Sequence, residues 1–238
     1  MSKTRSQQKD TATKTKGRPP RRPGAPVVVA SALPVGTIAL FAVVILAFAA
    51  IVGGSAYVLW FNSQSPQEKA AGIEGVVDYY HSKPKMLTRN HVEGDLEYEV
   101  RPPVGGDHNV IWQNCMGDIY EKPISEEHAV HSLEHGAIWV VYRPDLPKEK
   151  VEALKEKVKG QEYMMMSPYP GLDADFSLLA WGFRLDLKDP NDERWTEFVE
   201  ALRTEGPEEG AACSGGVTAT GDSPREVEGG MPQGAQGG

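Results

Sequence analysis

From Val35 to Phe61 the chain runs 27 residues without a charged side chain, and no other feature constrains its folding as strongly. A helix needs roughly 20 predominantly apolar residues to cross a bilayer core, so this stretch is expected to span with some tilt. Pro34 suits the first helical turn, and Tyr57, Trp60 and Phe61 suit an interfacial aromatic belt at the far end. Upstream, residues 1–25 hold eight Lys/Arg against Asp10 alone. The positive-inside rule then places the N-terminus in the cytoplasm and everything after Phe61 outside the plasma membrane. A cleaved signal peptide is the competing reading, with Gly54-Ser55-Ala56 imitating a cleavage site. Its apolar core would run only about 7–15 residues, which favours the anchor. The spacings Ala49/Gly53 and Ala50/Gly54 permit close approach of a second spanning helix, and so a membrane-protein partner.

Setting the tail aside leaves 17 basic against 32 acidic residues, a net charge of −15. So acidic an exterior argues against nucleic acid as a partner of the folded part. The tail itself could touch anionic lipid, but it reads more simply as a disordered topogenic segment. Four regions are expected: a basic cytoplasmic tail over 1–32, a transmembrane helix in the lipid bilayer over 33–61, an extracytoplasmic domain over 62–205, and a flexible Gly/Pro-rich tail over 206–238. At 144 residues, the domain can bury its own core.

Within that domain Ser65-Pro66-Gln67-Glu68 is a capping box. It predicts a helix that carries Ile73, Val76, Val77 and Tyr80 on one side and ends before Pro84. Leu96–Val100 alternates like a half-buried strand, and a loop-rich passage follows through Cys115 to Pro123. Ala137–Tyr142, Tyr163–Met166 and Ser177–Leu185 are expected strands; Lys148–Lys159 and Arg194–Arg203 are expected helices. Strands alternating with helices make the class α+β, with one small mixed sheet.

Cys115 and Cys213, placed outside the cytoplasm, invite a disulfide that would pin the start of the C-terminal tail. A free thiol pair, or Cys115 as a metal ligand beside Met116, are the alternatives. With no Cys-x-x-Cys, a thioredoxin-type redox role is disfavoured.

Half of the six histidines fall in one window, His128-Ala129-Val130-His131-Ser132-Leu133-Glu134-His135. If helical, it puts His128, His131 and His135 on one face, and Gly136 would end it. Imidazole is the commonest protein metal ligand. The window nevertheless leaves open a metal site, a hydrogen-bonded structural cluster and a metal-free acid–base site.

Several blocks together resemble a bacterial family of membrane-anchored proteins, domain of unknown function 3105, familiar from actinobacteria. They are Tyr98 with Pro102-Pro103 and Gly105-Gly106-x-His108, then Gln113-Asn114-Cys115 and Tyr120, then Val130-His131-Ser132-Leu133-Glu134-His135-Gly136. Ser167-Pro168-Tyr169-Pro170-Gly171, Ala180-Trp181-Gly182 and Ala212-Cys213-Ser214-Gly215-Gly216 are similar to later blocks of that family. The resemblance implies an extracytoplasmic domain on one anchor and no particular reaction.

It also sorts the histidines. His91, His108, His131 and His135 fall on positions like those of the family pattern, whereas His81 and His128 are expected to be ordinary surface residues. His131 and His135 at i and i+4 suit two ligands of one metal. His108 and His91 could complete the set, with Glu134 as a ligand, an orienting partner or a base. Zinc and copper are the metals that imidazole suits. Met116 and Met164–Met166 tempt a Cu(I) reading, but strand packing explains the methionine run better. Trp112 could line the site; Tyr142 and Asp107 have blander roles as a strand-end aromatic and a turn acid.

Three function classes follow: a metal-binding module, a hydrolase using Glu134 or a histidine as base, and a non-catalytic accessory domain of a membrane complex. The hydrolase lacks an intact His-Glu-x-x-His motif and any Gly-x-Ser-x-Gly elbow.

Overall fold

The computed structural model describes Gly24 and residues 34–224; the rest of the expected basic tail and residues 225–238 lie outside the described residues. Helix α1, Val35–Ser63, has 29 residues, and its most apolar 18-residue stretch has a mean hydropathy of 2.9. At 1.5 Å per residue it is about 43 Å long, against a hydrocarbon core of roughly 30 Å. It is long and apolar enough to cross a membrane.

The remainder forms an α+β unit around one six-stranded mixed sheet. Its elements are α2 (Pro66–Ala71), β1 (Val76–Asp78), α3 (Tyr79–Ser82), β2 (Met116–Ile119), α4 (Glu126–Glu134), β3 (Ile138–Tyr142), α5 (Lys148–Val158), β4 (Met164–Pro168), β5 (Phe176–Ala180), β6 (Phe183–Leu187) and α6 (Arg194–Leu202). The strand order is β1-β6-β5-β3-β4-β2. β3 is parallel to β4 and antiparallel to β5, so it is paired on both edges.

Alternation along the strands divides the core into two layers. Ile138, Val140, Met164, Met166, Phe176, Leu178, Phe183 and Leu185 pack with Leu154 and Val158 of α5 and Trp195, Phe198 and Leu202 of α6. Trp139, Val141, Met165 and Leu179 face the other way, toward Val130 and Leu133 of α4, Trp181 and both cysteines. Met164–Met166 therefore fill core space on both faces. Tyr142 belongs to the α5/α6 face and lies across the sheet from α4.

Local chemistry explains where sequence pattern and structure part company. The Ser65 capping box forms, with Ser65 Oγ accepting from Glu68 N and Glu68 Oε2 accepting from Ser65 N. The helix nevertheless ends at Ala71, and Gly75 at φ +82° turns the chain. The β-branched pair Val76-Val77 then completes the sheet edge beside β6, instead of continuing a helix to Pro84. Leu96–Val100 is not a strand: Leu96 N donates to Glu127 Oε1, and Tyr98 Oη donates to Asp107 O. The run Ser177–Leu185 is a hairpin, because Gly182 at φ +79° reverses the chain between Ala180 and Phe183. β2 lies inside the stretch expected to be loop. It is a short strand held parallel to β4.

Cys115 and Cys213 form a disulfide. Around it the Gly-rich segment after Gly206 is ordered by backbone pairing. Cys115 N donates to Cys213 O, Asn114 N to Val217 O, Val217 N to Trp112 O, and Gly221 N to Pro123 O.

Gly136 ends α4 at φ +92°, and a Cβ there would lie 2.7 Å from the Thr204 carbonyl carbon. Strain and backbone crowding act together at this crossing. Gly136→Ala is expected to destabilise the fold by about 1–3 kcal/mol, read as a lower midpoint in urea unfolding. A midpoint equal to that of the natural protein would show that the crossing can relax.

Candidate metal centre

α4 begins at Ser125, whose side chain caps the helix by accepting from His128 N. Helix-forming residues Glu126, Glu127, Ala129, Leu133 and Glu134 dominate its sequence. Only Ala129, Val130 and Leu133 join the apolar core, yet every residue from Glu127 to Glu134 is buried. Its polar face is covered by the loop that precedes β2 and by the segment after Gly206, not by solvent.

Most polar side chains of α4 and its C-cap meet backbone from those two segments, whereas Glu134 meets the side chains of Arg89 and His108. Glu127 accepts from Leu96 N, Ser132 Oγ donates to Gln113 O, and His128 Nδ1 donates to Ile111 O at 2.6 Å. His131 Nδ1 donates to Asn109 O at 2.7 Å, and His135 Nδ1, at the helix C-cap, donates to Ala212 O at 2.9 Å. His108 Nδ1, on the loop, donates to Gly106 O at 2.8 Å. A carbonyl oxygen can only accept, so these rings carry their proton on Nδ1. When neutral, the rings of His108, His131 and His135 each present a lone pair at Nε2. The same anchoring orients metal-bound histidines generally.

Three of the four expected histidines converge. Nitrogen atoms of His91, His108 and His131 and a carboxylate oxygen of Glu134 all lie within 4.8 Å of one another, an arrangement that could hold a metal ion. His91 is carried beside His108 by an irregular pairing in which Val92 N donates to His108 O and His108 N to Asn90 O. His135 stands outside this group. Its Nε2 falls instead in a second set with His131 and Glu208. Ring centroids are 4.9 Å apart for His91–His131 and 4.5 Å for His131–His135.

His128 is not a surface residue: it is 2 % exposed, buried by its bond to the Ile111 carbonyl. His81 is exposed and pairs with Asp78. Trp112 lies against both His131 and His135 and walls the centre, as Trp181 does beside His108. Asp107 holds the loop in place: its bonds to Thr88 and then Asn90 keep its carboxyl below the usual range. Arg89 and Glu208 carried no signal in the sequence. Arg89 is an exposed cation among many, and Glu208 sits in a Gly/Glu-rich stretch.

Burial first, then the neighbouring His135 and His108, hold His131 down at about 2, so its ring is neutral at any ordinary pH. His91 and His135 are also lowered, in both cases mainly by burial. Burial pushes Glu134 up, but its bonds to His108 and Arg89 outweigh that and set its carboxyl at about 2. Arg89 Nε pairs with Glu134 Oε1, and Glu134 Oε2 lies 2.9 Å from His108 Nε2. His108 is fully buried, and its Nε2 has no well-aligned hydrogen-bond partner. The arrangement is therefore one carboxylate fixed between Arg89 and His108, with the neutral ring of His131 beside it.

The family model described as "Protein of unknown function (DUF3105)" matches residues 91–215. The chain belongs to this family. The DUF3105 match starts at His91 and takes in His108, His131, Glu134, His135, Glu208 and both cysteines. No curated protein and no solved structure matches the chain significantly.

The depressed folded value of His131 has a consequence for stability. Histidines of the unfolded chain protonate near pH ~6.5, whereas folded His131 stays neutral down to about 2. Its contribution is complete above the unfolded value and is lost as the pH falls through that window, by up to about 1.4 kcal/mol per pH unit. The metal-free DUF3105 protein should lose urea stability between pH 7 and 5, and His131→Gln should flatten the decline. An equal slope in both proteins would place the acid sensitivity elsewhere.

Proposed function

We propose that this DUF3105 protein is a single-pass plasma-membrane protein whose extracytoplasmic domain binds one transition-metal ion, zinc or copper. The ligands are His91, His108 and His131, with Glu134 as fourth ligand or as the carboxylate that orients them. The observation that carries this reading is the 2.9 Å approach of His108 Nε2 to Glu134 Oε2, with His108 Nδ1 already committed to Gly106 O. Two lone pairs facing each other in a buried site repel unless a cation or a proton lies between them. A cation there serves three imidazoles and the carboxylate together.

The donor set suits the two metals named, since imidazole serves zinc and copper alike. Ligand atoms within 4.8 Å of one another need a small contraction to reach a zinc tetrahedron, whose edge is about 3.3 Å for bonds of 2.0–2.1 Å. His91 is exposed, so its loop can supply that movement. A hydrolase using Glu134 as base is the weaker reading: a carboxyl at about 2, doubly engaged, is a poor proton acceptor near neutrality.

Topology follows from the length and hydropathy of α1 and from the basic residues that precede it. The anchor occupies 33–61 with its N-terminus in the cytoplasm. The domain runs from residue 62, and its fold takes in the ordered return segment as far as about Gly221. An oxidising exterior also suits the buried disulfide.

Elemental mass spectrometry of the full-length, tag-free protein in detergent is the direct test. Near one zinc or copper per chain is expected, lost in the His108→Ala/His131→Ala variant. No bound metal after reconstitution with either ion would leave the cluster as a structural hydrogen-bond network. For topology, alkaline phosphatase fused after residue 224 should be active and the same enzyme fused before residue 34 inactive; the reverse pattern would invert the orientation.

A further inference from the structure

Beside the His91–His108–His131–Glu134 group lies the second set, His131, His135 and Glu208, whose ligand atoms are also within 4.8 Å of one another. The two sets share His131 and nothing else. Because His131 Nδ1 donates to Asn109 O, this ring has one lone pair to give, and one lone pair binds one cation at a time. The sets are therefore alternative positions for a single ion rather than a binuclear centre.

We propose that they form a two-position relay, in which one zinc or copper ion passes around His131 between an entry side at His91 and an exit side at Glu208. This rests on the reading of the first set as a metal site. His91 is exposed and the Glu208 side chain is 36 % exposed, while His108, His131 and His135 between them are buried. Bonds from the ion to His91, His108 and Glu134 break as bonds to His135 Nε2 and a Glu208 oxygen form. His131 Nε2 stays bound throughout. No electron or proton moves, and the ion is never without a protein ligand.

Two features suit the sets to exchange. Each supplies one carboxylate, Glu134 or Glu208, so the ion meets one anionic ligand in either position. The first set has four donors and the second three, which makes the first the resident position and the second the point of release. Glu208 is delivered by the return segment: its backbone N donates to Glu134 O, and four residues later Ala212 O fixes the His135 ring. A proton wire along the same imidazoles is disfavoured. Passage through a ring needs both nitrogens to exchange protons, and Nδ1 of His108, His131 and His135 each faces a backbone carbonyl that cannot accept one.

The test uses full-length protein in detergent with Zn(II) alone as the probe. Stoichiometry is measured first, and then the rate of release to an excess of a chromophoric chelator. Wild type should load one ion per chain. Glu208→Gln and His135→Gln should each slow release at least tenfold while still loading one ion. His108→Gln should load its ion more weakly and release it faster. Two ions per wild-type chain would overturn the relay, as would release from both Glu208→Gln and His135→Gln within twofold of wild type. No ion in wild type would instead overturn the metal site itself, and the relay with it.

Discussion

A helix that is buried on its polar side has to find a partner for every polar atom it buries, and α4 imposes that demand on the rest of the domain. An unpaired buried polar group costs on the order of 1–3 kcal/mol, and α4 with its C-cap buries Glu127, His128, His131, Ser132, Glu134 and His135. The carbonyls and amides that answer them belong to Leu96, Asn109, Ile111, Gln113 and Ala212. Backbone groups engaged in this way cannot also form a sheet ladder. The long passage before β2 thus lacks regular structure because its hydrogen bonds are directed inward to α4, and it is well ordered for the same reason.

One demand is met differently from the others. His108 spends Nδ1 on Gly106 and turns Nε2 toward Glu134, whose other oxygen is held by Arg89. The cluster thereby carries more acceptor atoms than donors. A cation would balance it and would also use the lone pairs of His131 and His91. On the proposed reading, ligand binding and fold stability are coupled, because an ion held by the native cluster and not by the unfolded chain stabilises the domain.

Much of this was legible in the sequence wherever one local signal sufficed. The uncharged run gave α1, the Ser65 capping box gave the start of α2, and helical spacing gave α5 and α6. The continuous apolar run after Gly136 gave β3. Errors arose where tertiary pairing decided the outcome. Val76-Val77 fits a helix face until β6 offers an edge to pair with, and Leu96–Val100 alternates like a strand but has no strand beside it. His128 has the composition of a surface residue and is buried only because Ile111 O reaches it. Glu208 was beyond reach: it is one glutamate in a Gly-rich stretch, and its place depends on a chain reversal more than 70 residues after α4.

That reversal explains why the disulfide sits where it does. Ordering a Gly-rich segment is costly in conformational entropy, and the segment from Gly206 to Val217 contributes few apolar side chains to offset it. A crosslink between residues 98 positions apart removes loop entropy from the unfolded chain, worth roughly 4–5 kcal/mol in the chain-entropy model. It falls at Cys213, beside the Ala212 carbonyl that orients His135 and five residues after Glu208. The bond thus lies immediately after the two features of the return segment that reach the histidine cluster. With the thiols reduced, the sheet and α4 would keep their apolar core, but the tether holding Glu208 and Ala212 in place would be gone. On the topology proposed here, export to an oxidising exterior is then also the step that completes the second set of donors.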